Sequence, residues 1–258
     1  FVSSICALTA LSAQAYERIV AMSPDVADII VALGATDKLV GKDATNSHPA
    51  LKDVPKVGMH RNIIAESVLA VKPDLVLGSY MVQPVSVYQR LNDLNVKAAN
   101  VAPKEGVDYF ANSIKATGIY IGNRSEAAQL ADRWSQDMQP LAKTGKRYIL
   151  SYDGRIVAGK GTVGDELIRR AGGINAANVS GLKPMSREGW LAAKPDVIII
   201  ADHNQKVIGG VSKFRKRPEI AVSNAAKNNK VEFWPVDKFL RYGLNSPKVI
   251  KSLHDMAK

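Results

Sequence analysis

Two stretches decide how this 258-residue chain is read: LAVKPDLVLGS, residues 69–79, and LAAKPDVIIIA, residues 191–201. Each sets Leu-Ala-x-Lys-Pro-Asp directly before a run of apolar residues, and they start 122 residues apart (191 − 69). Proline cannot continue a preceding helix, and each apolar run has the length of a buried strand. The same helix-to-strand junction written twice predicts two equivalent units.

The flanking sequence supports this. Before the first junction, ERIVAMSPDVADIIVALGATDKLVGKD (residues 17–43) predicts a strand at Arg18–Ala21, a Ser23-Pro24-Asp25 turn, and a helix closed by Gly34. A strand near Leu39–Gly41 and a helix at Ala65–Ala70 follow. After the junction strand, VSVYQRLNDLN (85–95) reads as a helix leading into VKAANVA (96–102). Helices alternating with short apolar strands imply a parallel sheet.

Residues 107–143 change to a helical pattern throughout. SEAAQLADRWSQDMQPLAK (125–143) has Ser125 as a candidate N-cap and Leu130, Trp134 and Met138 on one face. The alternation resumes with RYILSYDG (147–154), a helix at Asp165–Ala171, the second junction strand Val197–Ala201, and VEFWPVD (231–237). The expected fold class is α/β: an N-terminal lobe over 16–106, a helical connector over 107–144, and a C-terminal lobe over 145–258, each lobe with a parallel sheet. A long connecting helix resists hinge bending, and a ligand cleft is expected between the lobes at the carboxyl ends of the strands.

Composition narrows the setting. With 46% hydrophobic and 23% charged residues the chain is that of a globular protein. FVSSICALTALSAQA, residues 1–15, is uncharged and ends Ala13-Gln14-Ala15, the pattern of a secretory signal peptide cleaved near Ala15. Ser-Ser-Ile before Cys6 is a poor lipoprotein site, so the expectation is a cysteine-free, unlipidated, monomeric chain from Tyr16 in the periplasm. The net charge of +11 is fairly scattered, with one dense run at Lys213, Arg215, Lys216 and Arg217. No basic and aromatic interleaving marks a nucleic-acid module, which leaves a solvated basic surface, an anionic cargo or an anionic membrane face.

Gly159-Lys160-Gly161-Thr162-Val163-Gly164 matches G-x-G-x-x-G before a helix, the pattern of a dinucleotide site. A confirming acidic residue should end a second strand about 20 residues on, but that region, NVSGLKPMSREGW (178–190), is turn-like, and Asp165-Glu166 at the helix start opposes a phosphate. The motif is read as a decoy. No G-x-S-x-G, no H-E-x-x-H and no cysteine after position 6 offers a catalytic centre, so no enzyme is expected.

The segments ERIVAMSPDVADIIVALGATDKLVG, LAVKPDLVL, GKGTVGDELIRRAGGINAA, SREGWLAAKPDVIII and NSPKVIKSL together resemble the solute-binding proteins of bacterial ABC importers for iron-siderophores, cobalamin and haem. The resemblance covers nearly the whole chain from Glu17. It implies two α/β lobes joined by a rigid helix, and delivery of a cargo to an inner-membrane ABC permease with its cytoplasmic ATPase. KVGMHRNIIAESVLAVKPD (56–74) is most similar to the periplasmic haem-binding proteins, which often read Gly-Tyr-x-Arg here. This chain keeps Gly58 and Arg61 but has Met59 in the place of the iron-ligating tyrosine. In some relatives a histidine that ligates iron aligns with Tyr152.

Haem is thus the cargo that the resemblance implies, with a ferric siderophore as the alternative. The candidate ligand-binding residues are Met59, His60, Arg61, Tyr80, Tyr152, Arg241 and Tyr242, with His60 and Tyr152 the candidate iron ligands. Tyrosinate, imidazole and thioether are all haem axial ligands, and a guanidinium pairs with a propionate carboxylate. The resemblance also places Glu66 and Glu188, each three residues before a junction, on permease arginines; a helix dipole would favour an acid there in any case. A transition-metal carrier would draw on His48, His60 and His203, but no pair has ligand spacing on one element, and His254 lies near the C-terminus.

Overall fold

The computed structural model describes residues 16–258. The expected signal segment and Cys6 lie outside the described residues. The chain divides into two compact units: unit 1 holds residues 16–100 and 117–124, and unit 2 holds 101–116 and 125–258.

Unit 1 is built on a four-stranded sheet in the order β2-β1-β3-β4, from β1 (Ile19–Ala21), β2 (Leu39–Lys42), β3 (Leu75–Ser79) and β4 (Lys97–Ala102). The strand β1 runs parallel to both β2 and β3. Every side chain of β1 and β3 is buried, as continuous apolar strands of a doubly covered parallel sheet require. The helices are α1 (Pro24–Ala32), α2 (Ala65–Leu69) and α3 (Val87–Asp93). Pro24 at the first turn pre-sets the start of α1, and Gly34 at φ +75° lets the chain leave it.

The segment 107–143 is two helices, α4 (Val107–Ile121) and α5 (Arg124–Asp137), not one. Gly122 at φ +85° breaks the path between them. Ser125 therefore lies inside α5, one residue past its start. Leu130 is partly exposed, while Trp134 and Met138 are buried, and Phe110 of α4 meets the Trp134 ring at 4.8 Å.

Unit 2 holds a six-stranded sheet: β5 (Arg147–Ser151), β6 (Ile156–Ala158), β7 (Ile174–Asn175), β8 (Leu182–Pro184), β9 (Val197–Ala201) and β10 (Val231–Trp234). The strands β10, β9, β5 and β7 pair in parallel, but β6 runs antiparallel to both β5 and β8, so this sheet is mixed rather than parallel as expected. The chain turns back after β5 through residues 152–155, so β6 returns along it, a direction that the residues of a three-residue strand do not encode. The helices are α6 (Val163–Arg170), α7 (Arg187–Ala193), the short α8 (Gln205–Ile208), α9 (Gly210–Arg215), α10 (Pro218–Ala221) and α11 (Asn224–Lys227), and α12 (Ser246–Asp255). Among the described residues no helix is long and apolar enough to cross a membrane.

The repeated junctions fold alike in detail. Lys72 and Lys194 both adopt left-handed backbone, at φ 49° and 44°, and turn the chain from helix into strand. The next acid then clasps the neighbouring strand: Asp74 accepts the N–H groups of Glu17 and Arg18 at 2.9 and 3.0 Å, and Asp196 accepts that of Arg147 at 2.9 Å. The arginine at each clasped strand start reaches back, Arg18 to the carbonyl of Val71 (2.7 Å) and Arg147 to that of Ala193 (2.7 Å). Val71 and Ala193 occupy the same place in the two repeats. The Lys-Pro-Asp motif is thus an acceptor for the N–H groups at the start of the neighbouring strand, exposed in unit 1 and part-buried in unit 2.

Candidate functional site

In unit 1 the chain crosses the sheet from β2 on one side of β1 to β3 on the other, so β1 and β3 form a topological switch point. Loops at the carboxyl ends of such strands are where α/β sheets bind ligands. The ends are tied together: Ser23 Oγ accepts the Ser79 N–H (3.1 Å), Ser79 Oγ donates to Asp25 (3.1 Å), and Tyr88 donates to the Ser79 carbonyl (3.0 Å). Burial and the Asp25 carboxylate push the Tyr88 phenol far above its ordinary range, so it stays a neutral donor. Gly78 is required here, because a Cβ would sit 2.5 Å from the Tyr88 hydroxyl.

The loop carrying Met59, His60 and Arg61 is held at the same end. Asp43, directly after β2, accepts the His60 N–H through Oδ2, and the His60 ring Nδ1 lies 3.2 Å from the same oxygen. Asp43 Oδ1 accepts from Thr45. Burial opposes the Asp43 charge, but the hydrogen bonds from His60 and Thr45 outweigh it and hold the carboxyl below its ordinary 3.8. Gln83 closes the loop against the segment after β3, donating to the His60 carbonyl at 2.7 Å and accepting from Ile63 at 3.0 Å. Tyr80 starts that same segment.

This arrangement separates the three loop residues. His60 is 6% exposed with Nδ1 committed to Asp43, so it braces the loop. Met59, 50% exposed, and Arg61, also exposed, are what the loop presents. Sequence reasoning missed Asp43, whose only signal is an acid immediately following an apolar strand.

In unit 2 the equivalent switch point lies between β5 and β9. Tyr152 follows β5 and His203 follows β9, and their rings meet edge-on at 4.7 Å. Asn204 donates to the Tyr152 carbonyl and lies 2.8 Å from His203 Nε2. Tyr152 is 39% exposed, so this aromatic pair is accessible from solvent. The sequence placed Tyr152 and His203 separately; adjacency of β5 and β9 brings them together.

Arg241 and Tyr242 part company. Arg241 lies 3.9 Å from Asp237, while Tyr242 is buried at 8% exposure, and burial above all pushes its phenol well up. Tyr242 is thus largely packed into the body of unit 2. Glu66 pairs with Arg90 of α3, both exposed, beside a cavity of about 210 Å³. Glu188 sits exposed in the first turn of α7, which Ser186 caps through the Gly189 N–H at 3.0 Å. His48 accepts from the Ala50 N–H and His254 meets the Ala171 carbonyl, both local roles. Among the described residues no three His, Cys, Asp or Glu side chains gather as a metal site.

The glycine motif is occupied by its own helix. Asp165 accepts the Gly161 N–H at 3.0 Å, and Thr162 caps α6 through the Asp165 N–H at 3.2 Å. A carboxylate thus fills the place a phosphate would take.

Comparison with known proteins follows the same lines. A vitamin B12-binding protein of Yersinia pestis (strain Pestoides F) is 27% identical over 234 residues, covering 87% of this chain and 82% of that one. Among solved structures, the periplasmic heme-binding protein RhuT from Roseiflexus sp. RS-1 in apo form superposes with TM-score 0.82 at 26% identity, covering 94% and 99% of the two chains. The periplasmic heme-binding protein BhuT in complex with two hemes gives 0.82 at 26%, covering 93% and 97%. Residues 19–237 match the periplasmic binding protein family, whose members bind solutes and are not enzymes, and the chain belongs to it.

Proposed function

We propose that this periplasmic binding protein captures haem and delivers it to an inner-membrane ABC permease. The observation that carries the reading is the Tyr152–His203 pair, a half-exposed phenol braced by an imidazole at the switch point of unit 2. A phenolate oxygen is a haem iron ligand, and the His203 ring packs edge-on against the phenol and fixes its place. With Met59 in place of the family tyrosine and His60 turned to Asp43, Tyr152 is the iron ligand and Arg61 the propionate partner. The likeness to RhuT and BhuT supports haem as cargo. Glu66 and Glu188, exposed at the first turns of α2 and α7, are the charges offered to the permease.

Titrating hemin into the purified protein should give a shifted Soret band that saturates. Tyr152→Phe should weaken binding about tenfold or more, equivalent to ~1.4 kcal/mol, and change the band position. A flat titration overturns haem as cargo, and an unchanged band in Tyr152→Phe overturns Tyr152 as ligand. The similarity to vitamin B12-binding proteins favours a corrinoid as the second reading. Cyanocobalamin run beside hemin decides between them by which one quenches tryptophan fluorescence to saturation.

A further inference from the structure

The segment 205–230 of unit 2 concentrates charge. It carries seven Lys or Arg against one acid, Glu219, so +6 of the chain's +11 lies in 26 residues. Its cations are not matched to carboxylates. Arg215 donates to the Ala226 carbonyl, Arg217 to that of Gly154 (3.1 Å) and Lys230 to that of Met256 (2.8 Å). Neutral carbonyls satisfy the donors without cancelling the charge. Glu219 is itself turned to Arg187, outside the segment, at 3.7 Å.

Within this field, α9, α10 and α11 enclose a surface cavity of about 490 Å³. Arg215, Lys216 and Lys227 line it, with the Ser212 hydroxyl, and Val211, Ala221 and Ala226 form an apolar side. No carboxylate lines it. Among the described residues the Lys216 and Lys227 ammonium groups have no hydrogen-bond or ion-pair partner. Some of this placement is explained by helix dipoles, which favour cations at the last turns of α9 and α11. Dipoles do not explain why three cations face one concave space with no acid among them. Three like charges around a cavity repel each other unless an anion joins them.

We propose that this cavity is a binding site for a phosphate-bearing anion, separate from the cargo residues. Arg215 is held in place by Ala226, which leaves its remaining N–H groups to a phosphate oxygen. Lys216, Lys227 and Ser212 supply further donors, and a group of charge about −1.5 to −2 with three acceptor oxygens matches this set better than a carboxylate does. The apolar side accommodates a small non-polar body attached to the phosphate. Such an anion is available either as a free phosphate ester or as a lipid headgroup.

The test uses the full chain with two double variants of equal charge. Lys216→Gln/Lys227→Gln removes the exposed cavity lysines, and Lys248→Gln/Lys251→Gln removes two exposed lysines of α12. Calorimetry with glycerol 3-phosphate, and co-sedimentation with vesicles of phosphatidylethanolamine plus phosphatidylglycerol against phosphatidylcholine alone, read the two sources. The cavity variant should lose about tenfold in affinity for at least one probe while the α12 variant does not. Binding of glycerol 3-phosphate supports a free ester, and binding confined to the anionic vesicles supports a headgroup. Equal loss in both variants reduces the effect to diffuse net charge and overturns the site, as does no binding of either probe. Hemin binding should be unchanged in the cavity variant; its failure in wild type leaves this test unaffected.

Discussion

Asp196→Ala tests whether the second Lys-Pro-Asp motif works as a clasp. The carboxylate accepts the part-buried Arg147 N–H at 2.9 Å and the exposed Asn224 amide at 2.9 Å. A hydrogen bond to a charged acceptor contributes about 1.5–3 kcal/mol when its loss leaves a buried donor unpaired, and far less where water replaces it. The Arg147 bond dominates, so the expected loss is about 2 kcal/mol. The equivalent change Asp74→Ala strips two N–H groups, but both are exposed, and water reduces the cost to about 1 kcal/mol. Asp196→Asn keeps one carbonyl acceptor and should lose about half as much as Asp196→Ala. All three tryptophans, Trp134, Trp190 and Trp234, lie in unit 2, so tryptophan fluorescence during urea unfolding reads the Asp196 variants. Far-UV circular dichroism reads Asp74→Ala. A loss under about 0.5 kcal/mol for Asp196→Ala, or one smaller than for Asp74→Ala, refutes the clasp.

Three further outcomes are expected. Asp43 titrates below its ordinary 3.8 in the folded state, so its contribution is complete above that value and is lost as pH falls beneath it. Asp43→Asn should therefore cost about 1–2 kcal/mol at neutral pH, with the gap to wild type closing in acid; a constant gap in urea unfolding across pH refutes it. Burial first, with Asp196 adding and Thr144 opposing, pushes the buried Tyr148 up to about 12, so its contribution is present below the ordinary 10 and is lost as pH rises through about 12. Alkaline unfolding should begin above that ordinary value and Tyr148→Phe should delay it, and tyrosinate absorbance that rises fully before fluorescence changes would contradict this. Gly159→Ala should cost about 2–3 kcal/mol, because its Cβ would meet the Val179 carbonyl oxygen at 2.1 Å, whereas Gly161→Ala has space and costs about 1 kcal/mol from its φ of +83°. Thermal unfolding of the two variants gives the order, and equal losses would remove the steric argument.

The long-period features were legible in the sequence because one physical cause writes each of them. Fully buried parallel strands must be continuously apolar, which marks β1, β3, β5 and β9, and a proline after a helix marks the junctions. What escaped was set by contacts between distant residues. Nothing near Asp43 says that its carboxylate will hold His60, 17 residues on. Nothing near Tyr242 says that it will be buried while Tyr152 is exposed, since both follow or precede charged loop residues. The mixed sheet was missed because β6, which has the same Ile-Val-Ala sequence as β1, turns back on β5 and pairs antiparallel with it and with β8, and a strand's direction is set by its partners rather than by its own residues.

The repeat also has a consequence for where specificity resides. The strands it writes, β3 and β9, are in each unit the ones laid on the far side of the first strand, so both are switch-point strands whose following residues lie where such sheets bind. The shared Lys-Pro-Asp clasp fixes how each strand starts, and this leaves its far end free to differ. In unit 1 the strand closes on Ser79, buried and engaged with Ser23, Asp25 and Tyr88, a rigid rim from which Tyr80 and Met81 continue. In unit 2 the far end is Asp202-His203-Asn204, which gathers Tyr152 into an accessible aromatic pair. An identical junction with unlike ends lets one scaffold change cargo by substituting a few residues after each strand. On that logic, exchanging His203 should alter ligand preference without altering stability by more than about 0.5 kcal/mol, whereas exchanging Ser79 should do the reverse.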